Sequence, residues 1–282
     1  MLKIGRLRFG TAGMPLNTPK PTSTEKAIEY VKILGLDALE LEFVRNVFLK
    51  EEKAKIVGKI AEKNDVVLTA HAPYYINLNA VEEEKIKASI KRIKDSVRIL
   101  HYAKGYSVVF HPGFYFKDDH KKVYKKIKSN IKILVRELED EGINDVWVRP
   151  ETMGKPTQFG SLKEVLNISE SLNNVMPCID FAHLHARSIG KYNTKTEFEE
   201  ILNLVEEVLG REGLNNMHVH FSGINYGEKG EKNHLVLKES DFNYKEWVEV
   251  IKEYKVKGVF ISESPNIEED ALFIKKLYEK IS

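Results

Sequence analysis

The sequence predicts one α/β domain, a TIM-type (β/α)8 barrel spanning residues 1–282. Three observations predict it. Short apolar segments rich in β-branched residues alternate eight times with longer charged segments of helical period. No linker-like or low-complexity stretch interrupts the alternation, and 282 residues suit eight strand–helix units. A doubly wound open sheet is the competing architecture. It is disfavoured because the count stops at eight and no GxGxxG turn follows an early strand.

Taken in order, the first unit joins "RLRFG" (6–10) to a helix over 23–34, and the second joins "DALELEF" (37–43) to a helix over 51–63. "VVLTAHA" (66–72) and "YSVVFHPG" (106–113) precede helices over 81–103 and 119–140. "DVWVRPE" (145–151) and "VMPCIDF" (175–181) precede helices over 161–172 and 196–209. "NMHVHFSG" (216–223) and "KGVFISESP" (257–265) precede helices over 244–254 and 268–281. Capping-box spacing marks several helix starts, because a hydroxyl or amide three residues before a glutamate can satisfy orphan backbone donors. Those pairs are Thr22 with Glu25, Ser161 with Glu164, Thr194 with Glu197 and Asn243 with Glu246. Gly35, Gly105, Gly142 and Gly210 stand where left-handed helix ends are expected.

Composition sets bounds on chemistry. The chain is 42% hydrophobic and 30% charged, so its core needs no disulfide staples, and Cys178 is the only cysteine. Disulfide frameworks and four-cysteine zinc sites are therefore excluded. No apolar run reaches signal-peptide or membrane-spanning length, which makes a cytoplasmic protein with no membrane partner the expectation. A formal charge of +2 is too small to announce a nucleic-acid binder. The lysine-rich run 118–136 reads as the solvated face of an amphipathic helix. Nothing in the sequence implies an obligate protein partner.

Chemistry in a barrel gathers where the strands end. Here those ends carry His71, His111, Glu151, Asp180 with His183, His218 with His220, and Glu263. Each strand from the third onward thus supplies one rim with a possible metal ligand. Burying unpaired charge or imidazole costs on the order of several kcal/mol per group, which packing alone does not repay six times. Coordination removes that cost. A histidine and carboxylate donor set suits zinc or manganese better than calcium, and the supply exceeds the needs of one tetrahedral ion. Two or more ions with a bridging carboxylate suit phosphoryl transfer or hydrolysis.

The ordered motifs "TAHAPYYINL" (69–78), "VFHPG" (109–113), "ETMGKPTQFG" (151–160), "CIDFAH" (178–183), "MHVHFSG" (217–223) and "ISESPN" (261–266) resemble the endonuclease IV family of apurinic/apyrimidinic endonucleases across essentially the whole chain. The resemblance implies a barrel with three zinc ions. It implies that His71 and His111 hold the first, that Glu151 bridges to the second, and that Asp180, His218 and Glu263 complete the second. His183 would hold the third. Its usual partners are an aspartate and a histidine two residues apart, and "GEKGEKNHL" (227–235) offers Glu231 and His234 instead. The family's usual Gly-Gln-Gly after the bridging glutamate is replaced by "GKPTQFG", and the loop after strand two reads "FVRNVFLKEE" (43–52). Arg45, Lys50, Tyr74 and Arg187 are the candidate contacts to phosphate or to an abasic site.

The activity so implied is zinc-dependent hydrolysis of double-stranded DNA 5′ to an abasic site, with Glu151 at the catalytic centre and manganese as a possible substitute. Two other readings compete. Glu151, Asp180, His218 and Glu263 alone could serve one metal in a sugar isomerase or epimerase. A non-catalytic DNA-binding barrel could keep some ligands for stability. His185 is expected to hold a ligating carboxylate rather than a metal.

Overall fold

Side chains alternate inward and outward along each strand, which divides the molecule into two interiors. The computed structural model describes residues 2–281. Eight parallel strands form the wall: β1 (Leu7–Ala12), β2 (Ala38–Glu42), β3 (Val67–His71), β4 (Ser107–Phe110), β5 (Trp147–Pro150), β6 (Cys178–Asp180), β7 (Met217–Phe221) and β10 (Gly258–Ser262). They neighbour one another in the order β5-β4-β3-β2-β1-β10-β7-β6. Parallel bridges from Val148 to Val175 and from Glu151 to Cys178 bring β5 beside β6 and complete the ring.

The helices wrap this wall: α1 (Thr24–Ile33), α2 (Glu51–Asn64), α3 (Glu83–Tyr102), α4 (His120–Asp140), α5 (Leu162–Ser171), α6 (Phe181–Arg187), α7 (Lys195–Asn215), α8 (Tyr244–Glu253) and α9 (Glu268–Lys280). The outer interior lies between helices and sheet. Outward residues such as Leu39, Leu41, Val148, Ile179, Val219 and Phe260 pack there, with Trp247 of α8 fully buried against Phe221 and Phe260. Fully burying one such side chain contributes roughly 1.5–3 kcal/mol. Among the described residues no helix is long and apolar enough to cross a membrane.

The inner interior changes character along the barrel axis. Its lower part is apolar, with Ala38, Val67, Tyr106 and Val259. Arg149 closes the bottom, donating to the carbonyls of Pro177 and Asn216 and to the Tyr106 hydroxyl. Two or four residues further along the same inward stripes stand ionisable groups. The period of two therefore puts Glu40, Glu42, His71, Glu151, Asp180, His218 and His220 inside the barrel.

Several local expectations need correcting. Ser23, not Thr22, caps α1, accepting from Lys26 N, whereas the boxes at Ser161 and Thr194 both form. After α3 the left-handed residue is Lys104, φ 54°, rather than Gly105. A Cβ at position 105 would lie 2.4 Å from Leu100, so close packing is what demands glycine there. Gly210, φ 65°, kinks α7 instead of ending it. The segment read as a loop at 227–235 belongs to an antiparallel hairpin, β8 (Gly223–Gly227) with β9 (Gly230–Leu235).

Candidate metal centre

Three groups of donors share the mouth of the barrel. His71, His111 and Glu151 form the first; Glu151, Asp180, His220 and Glu263 the second; His183, Glu231 and His234 the third. Within each group the donor atoms lie within 4.8 Å of one another. Glu151 is fully buried and joins the first two groups through different oxygens. Its Oε2 lies 3.0 Å from His111 Nε2 and 3.4 Å from His71 Nε2, while its Oε1 lies 3.1 Å from His220 Nδ1. Glu263 Oε1 approaches the same His220 nitrogen at 3.3 Å.

Hydrogen bonds to backbone fix which ring nitrogen faces each group. His71 Nδ1 donates to its neighbour Ala72 O at 2.8 Å, and His183 Nδ1 to Thr152 O at 2.9 Å. In the neutral form each ring therefore leaves its lone pair on Nε2. For His71 that nitrogen faces Glu151; for His183 it faces Glu231, 3.6 Å away. Asp180 ends β6 and caps α6, accepting from His183 N, whereas His183 lies inside the helix; its Nδ1 edge stays 3.4 Å from Asp180 Oδ2 while its Nε2 edge turns to the third group. Gly154 lets the third group form. A Cβ there would sit 2.7 Å from Glu231 Oε2 and 3.0 Å from His183 Cδ2, and Gly154 O accepts from Glu231 N.

The electrostatics match a site built for cations. Burial alone would push the Glu151 carboxyl up, but His220 and His111 beside it hold it well below the usual carboxylate range. Burial opposes protonation of His183 too, yet Asp180, Glu151 and Glu231 hold it well above the ordinary imidazole value. His71 is likewise lifted against burial, to about 9, by Glu151 and Glu42. Burial raises the Glu263 carboxyl to about 8. Asp180 Oδ2 is buried without a hydrogen-bond partner, an oxygen that a cation in the second group would satisfy. The donors thus fit divalent ions of the zinc and manganese class, whose entry would displace protons from His71, His183 and Glu263.

One ligand assignment changes. His220, not His218, joins the second group. His218 lies one inward step deeper, fully buried, with Nε2 3.1 Å from Glu40 and Nδ1 2.8 Å from Ser107 Oγ. Burial lowers it to about 4. It falls instead with Cys178 and His220 in a deeper group, where burial pushes the Cys178 thiol up.

The candidate substrate contacts divide. Tyr74 is half exposed and roofs the first group, its ring 5.8 Å from His111 and 5.5 Å from His71. Arg45 and Lys50 are exposed between β2 and α2. Arg187 is engaged by backbone. Its Nη1 donates to the carbonyls of Met153, Lys155 and Gln158, pinning the loop after β5. His185 is held at 3.0 Å by Asp241, a carboxylate outside the three groups. The sequence reading also missed Glu40 and Glu42. The signal was present in the alternation of "ELE" on β2, which turns both carboxylates inward. Burial raises Glu42 to about 7, and its Oε1 has no partner.

Fold and donor groups together define a barrel protein with a metal-binding active site. Residues 28–277 match the family described as "Xylose isomerase-like TIM barrel", and the chain belongs to it. It is 45% identical over 275 residues to "Uncharacterized protein MJ0133" of Methanocaldococcus jannaschii, covering 98% of both chains. It is 26% identical over 194 residues to a "Probable endonuclease 4" of Clostridium beijerinckii, covering 67% of each. Among solved structures, a "D-tagatose 3-epimerase-like protein" superimposes with a TM-score of 0.72 at 21% identity, covering 97% of this chain and 96% of that one. The family spans endonuclease-like and sugar-epimerase-like members, and the fold is common to both.

Proposed function

We propose that this chain is a metal-dependent phosphodiesterase that cleaves DNA 5′ to abasic sites with up to three divalent cations, zinc foremost. The observation that carries the reading is Glu151, whose two oxygens face two separate donor groups while His183, Glu231 and His234 supply a third. One sugar-active metal would leave His71, His111 and the hairpin pair without a task. Bound there, divalent cations supply Lewis acidity, ease water deprotonation and offset charge on a phosphodiester. The chain's own part is to hold Glu151 ionised, keep the lone pairs of His71 and His183 on Nε2, and present Tyr74 as a flat wall beside the first group. Arg45 and Lys50, exposed between β2 and α2, are the cations this reading assigns to a phosphate backbone. The sequence likeness to a probable endonuclease 4 supports the same reading.

A sugar epimerase is the second reading, and particular observations favour it. Glu151, Asp180, His220 and Glu263 suffice for one cation. Glu42, raised to about 7 and outside that ligand set, is a carboxyl group able to give and take a proton at neutral pH, which epimerisation beside a carbonyl needs. A paired assay separates the two. A duplex with one tetrahydrofuran lesion and a panel of ketohexoses are each offered to zinc- or manganese-loaded protein. We expect a nick immediately 5′ to the lesion, lost on chelation and weakened by salt as counterion release requires. An intact duplex at low salt, together with metal-dependent interconversion of a ketohexose, would make this an epimerase.

A further inference from the structure

Beneath the three donor groups lies a second polar layer to which neither reading gives a task. Glu40 is fully buried at its centre. Its Oε1 lies 2.8 Å from His220 Nε2, its Oε2 lies 3.1 Å from His218 Nε2, and the Thr69 hydroxyl donates to Oε2 at 2.8 Å. Ser107 Oγ closes the chain of contacts at 2.8 Å from His218 Nδ1. Neither imidazole approach to Glu40 is aligned as a linear hydrogen bond, so both are short charge contacts.

We infer that Glu40 is a positioning residue for the metal centre, holding His220 with its proton on Nε2 and its Nδ1 lone pair directed into the second donor group. His220 has two different neighbourhoods. Its Nδ1 lies in hydrogen-bond geometry 3.1 Å from Glu151 Oε1 and 3.3 Å from Glu263, the position where a cation would replace a proton, and its Nε2 lies 2.8 Å from Glu40. A neutral imidazole carries one proton, and a ligating nitrogen must be the one without it. With a cation in the second group Nδ1 needs no proton against Glu151 and Glu263, whereas an unprotonated Nε2 would still set its lone pair against a carboxylate 2.8 Å away in a site that water does not reach. Placing the proton there removes the repulsion and leaves Nδ1 free to ligate. His218 supports the arrangement. With the Ser107 hydroxyl donating to Nδ1, its Nε2 carries a proton toward the other Glu40 oxygen. Thr69 then donates to the carboxylate while the two Nε2–H groups face it as charge contacts, and its charge also counters that of a nearby cation. The inference rests on the second group being a metal centre, which both readings above require. It is independent of which substrate is used.

Glu40→Gln tests it without any substrate. The amide keeps the volume, but two Nε2 protons and the Thr69 hydroxyl must then compete for a single oxygen. Zinc binding, measured by competition with a chromophoric chelator, should weaken roughly 10–100-fold at one site, as expected when the partner of a ligating histidine is lost. A purely packing role would lower the melting temperature without moving that affinity. If Glu40→Gln fails to fold, the wild-type chain answers alone. Long-range proton–nitrogen spectra of the zinc-loaded, histidine-labelled protein should show one fully buried imidazole bound through Nδ1 and protonated at Nε2, absent from His220→Asn. Unchanged zinc affinity in Glu40→Gln, or His220 bound through Nε2, would overturn this inference alone. A wild-type chain that takes up no transition metal would overturn it together with both functional readings.

Discussion

His218 and His220 differ by one inward step of a strand, and that step separates two kinds of chemistry. His220 pairs in register with Asp180 at the end of β6, so the two reach the same level of the barrel. His218 pairs with Cys178, one level down, where every neighbour is buried. We therefore expect His220→Asn to remove one metal equivalent per chain in elemental analysis. His218→Asn should keep the full complement and lose thermal stability instead. The reverse result would restore the ligand set that motif resemblance implied. Two adjacent histidines of the same strand face look equivalent in a motif, and only register with the neighbouring strand tells them apart.

At the scale of elements, the hairpin β8–β9 makes the third donor group possible. It lifts Glu231 and His234 over the barrel mouth, where Glu231 N bonds Gly154 O and His234 Nδ1 meets Ser222 Oγ at 2.6 Å. Substituting Gly154 tests this assembly without touching a ligand. A β-branched side chain would collide with Glu231 and the edge of His183, displacing the hairpin by at least several tenths of an ångström. Gly154→Val should bind one metal equivalent fewer while the groups around Glu151 stay loaded. Equal metal content in variant and wild type would separate the hairpin from the metal centre. Arg187 belongs to the same device, since it anchors the opposite side of the 153–158 loop through three carbonyls.

At the scale of the whole molecule, the ring is tied where the chain's two ends meet. Asp37, nearly buried ahead of β2, accepts from Arg6 and from Lys275 of α9, each at 2.7 Å. Burial works to raise its carboxyl, but Arg6 and Lys275 outweigh it and hold it below its ordinary value. A depressed folded value stabilises above the unfolded value of about 3.9 and is lost as the pH falls through the folded one. Asp37→Asn should lose about 1 kcal/mol at pH 7, discounted because Arg6 is half exposed. That corresponds to roughly 2–4 °C for a chain of this size. The gap in melting temperature should close below about pH 4. A gap that stays constant down to pH 3 would assign Asp37 a role in packing alone.

Read from the sequence alone, the eight-fold alternation, the barrel and the rim of ionisable strand ends were legible, because periods of two and 3.6 and the caps at Ser161 and Thr194 are local properties. His71, His111, Glu151, Asp180, His183 and Glu263 stood out for the same reason, each lying where an apolar run stops. What needed the tertiary structure was every relation between strands. Register raised His220 rather than His218 to the level of Asp180, and the inward turn of β2 brought Glu40 beneath both histidines. A hairpin folded over the mouth paired Glu231 and His234 with a histidine some fifty residues earlier, and three backbone carbonyls engage Arg187 Nη1. Periodicity tells which face a side chain occupies. How high it stands on that face, and what stands opposite, depends on the shear of a closed sheet, which no single strand encodes.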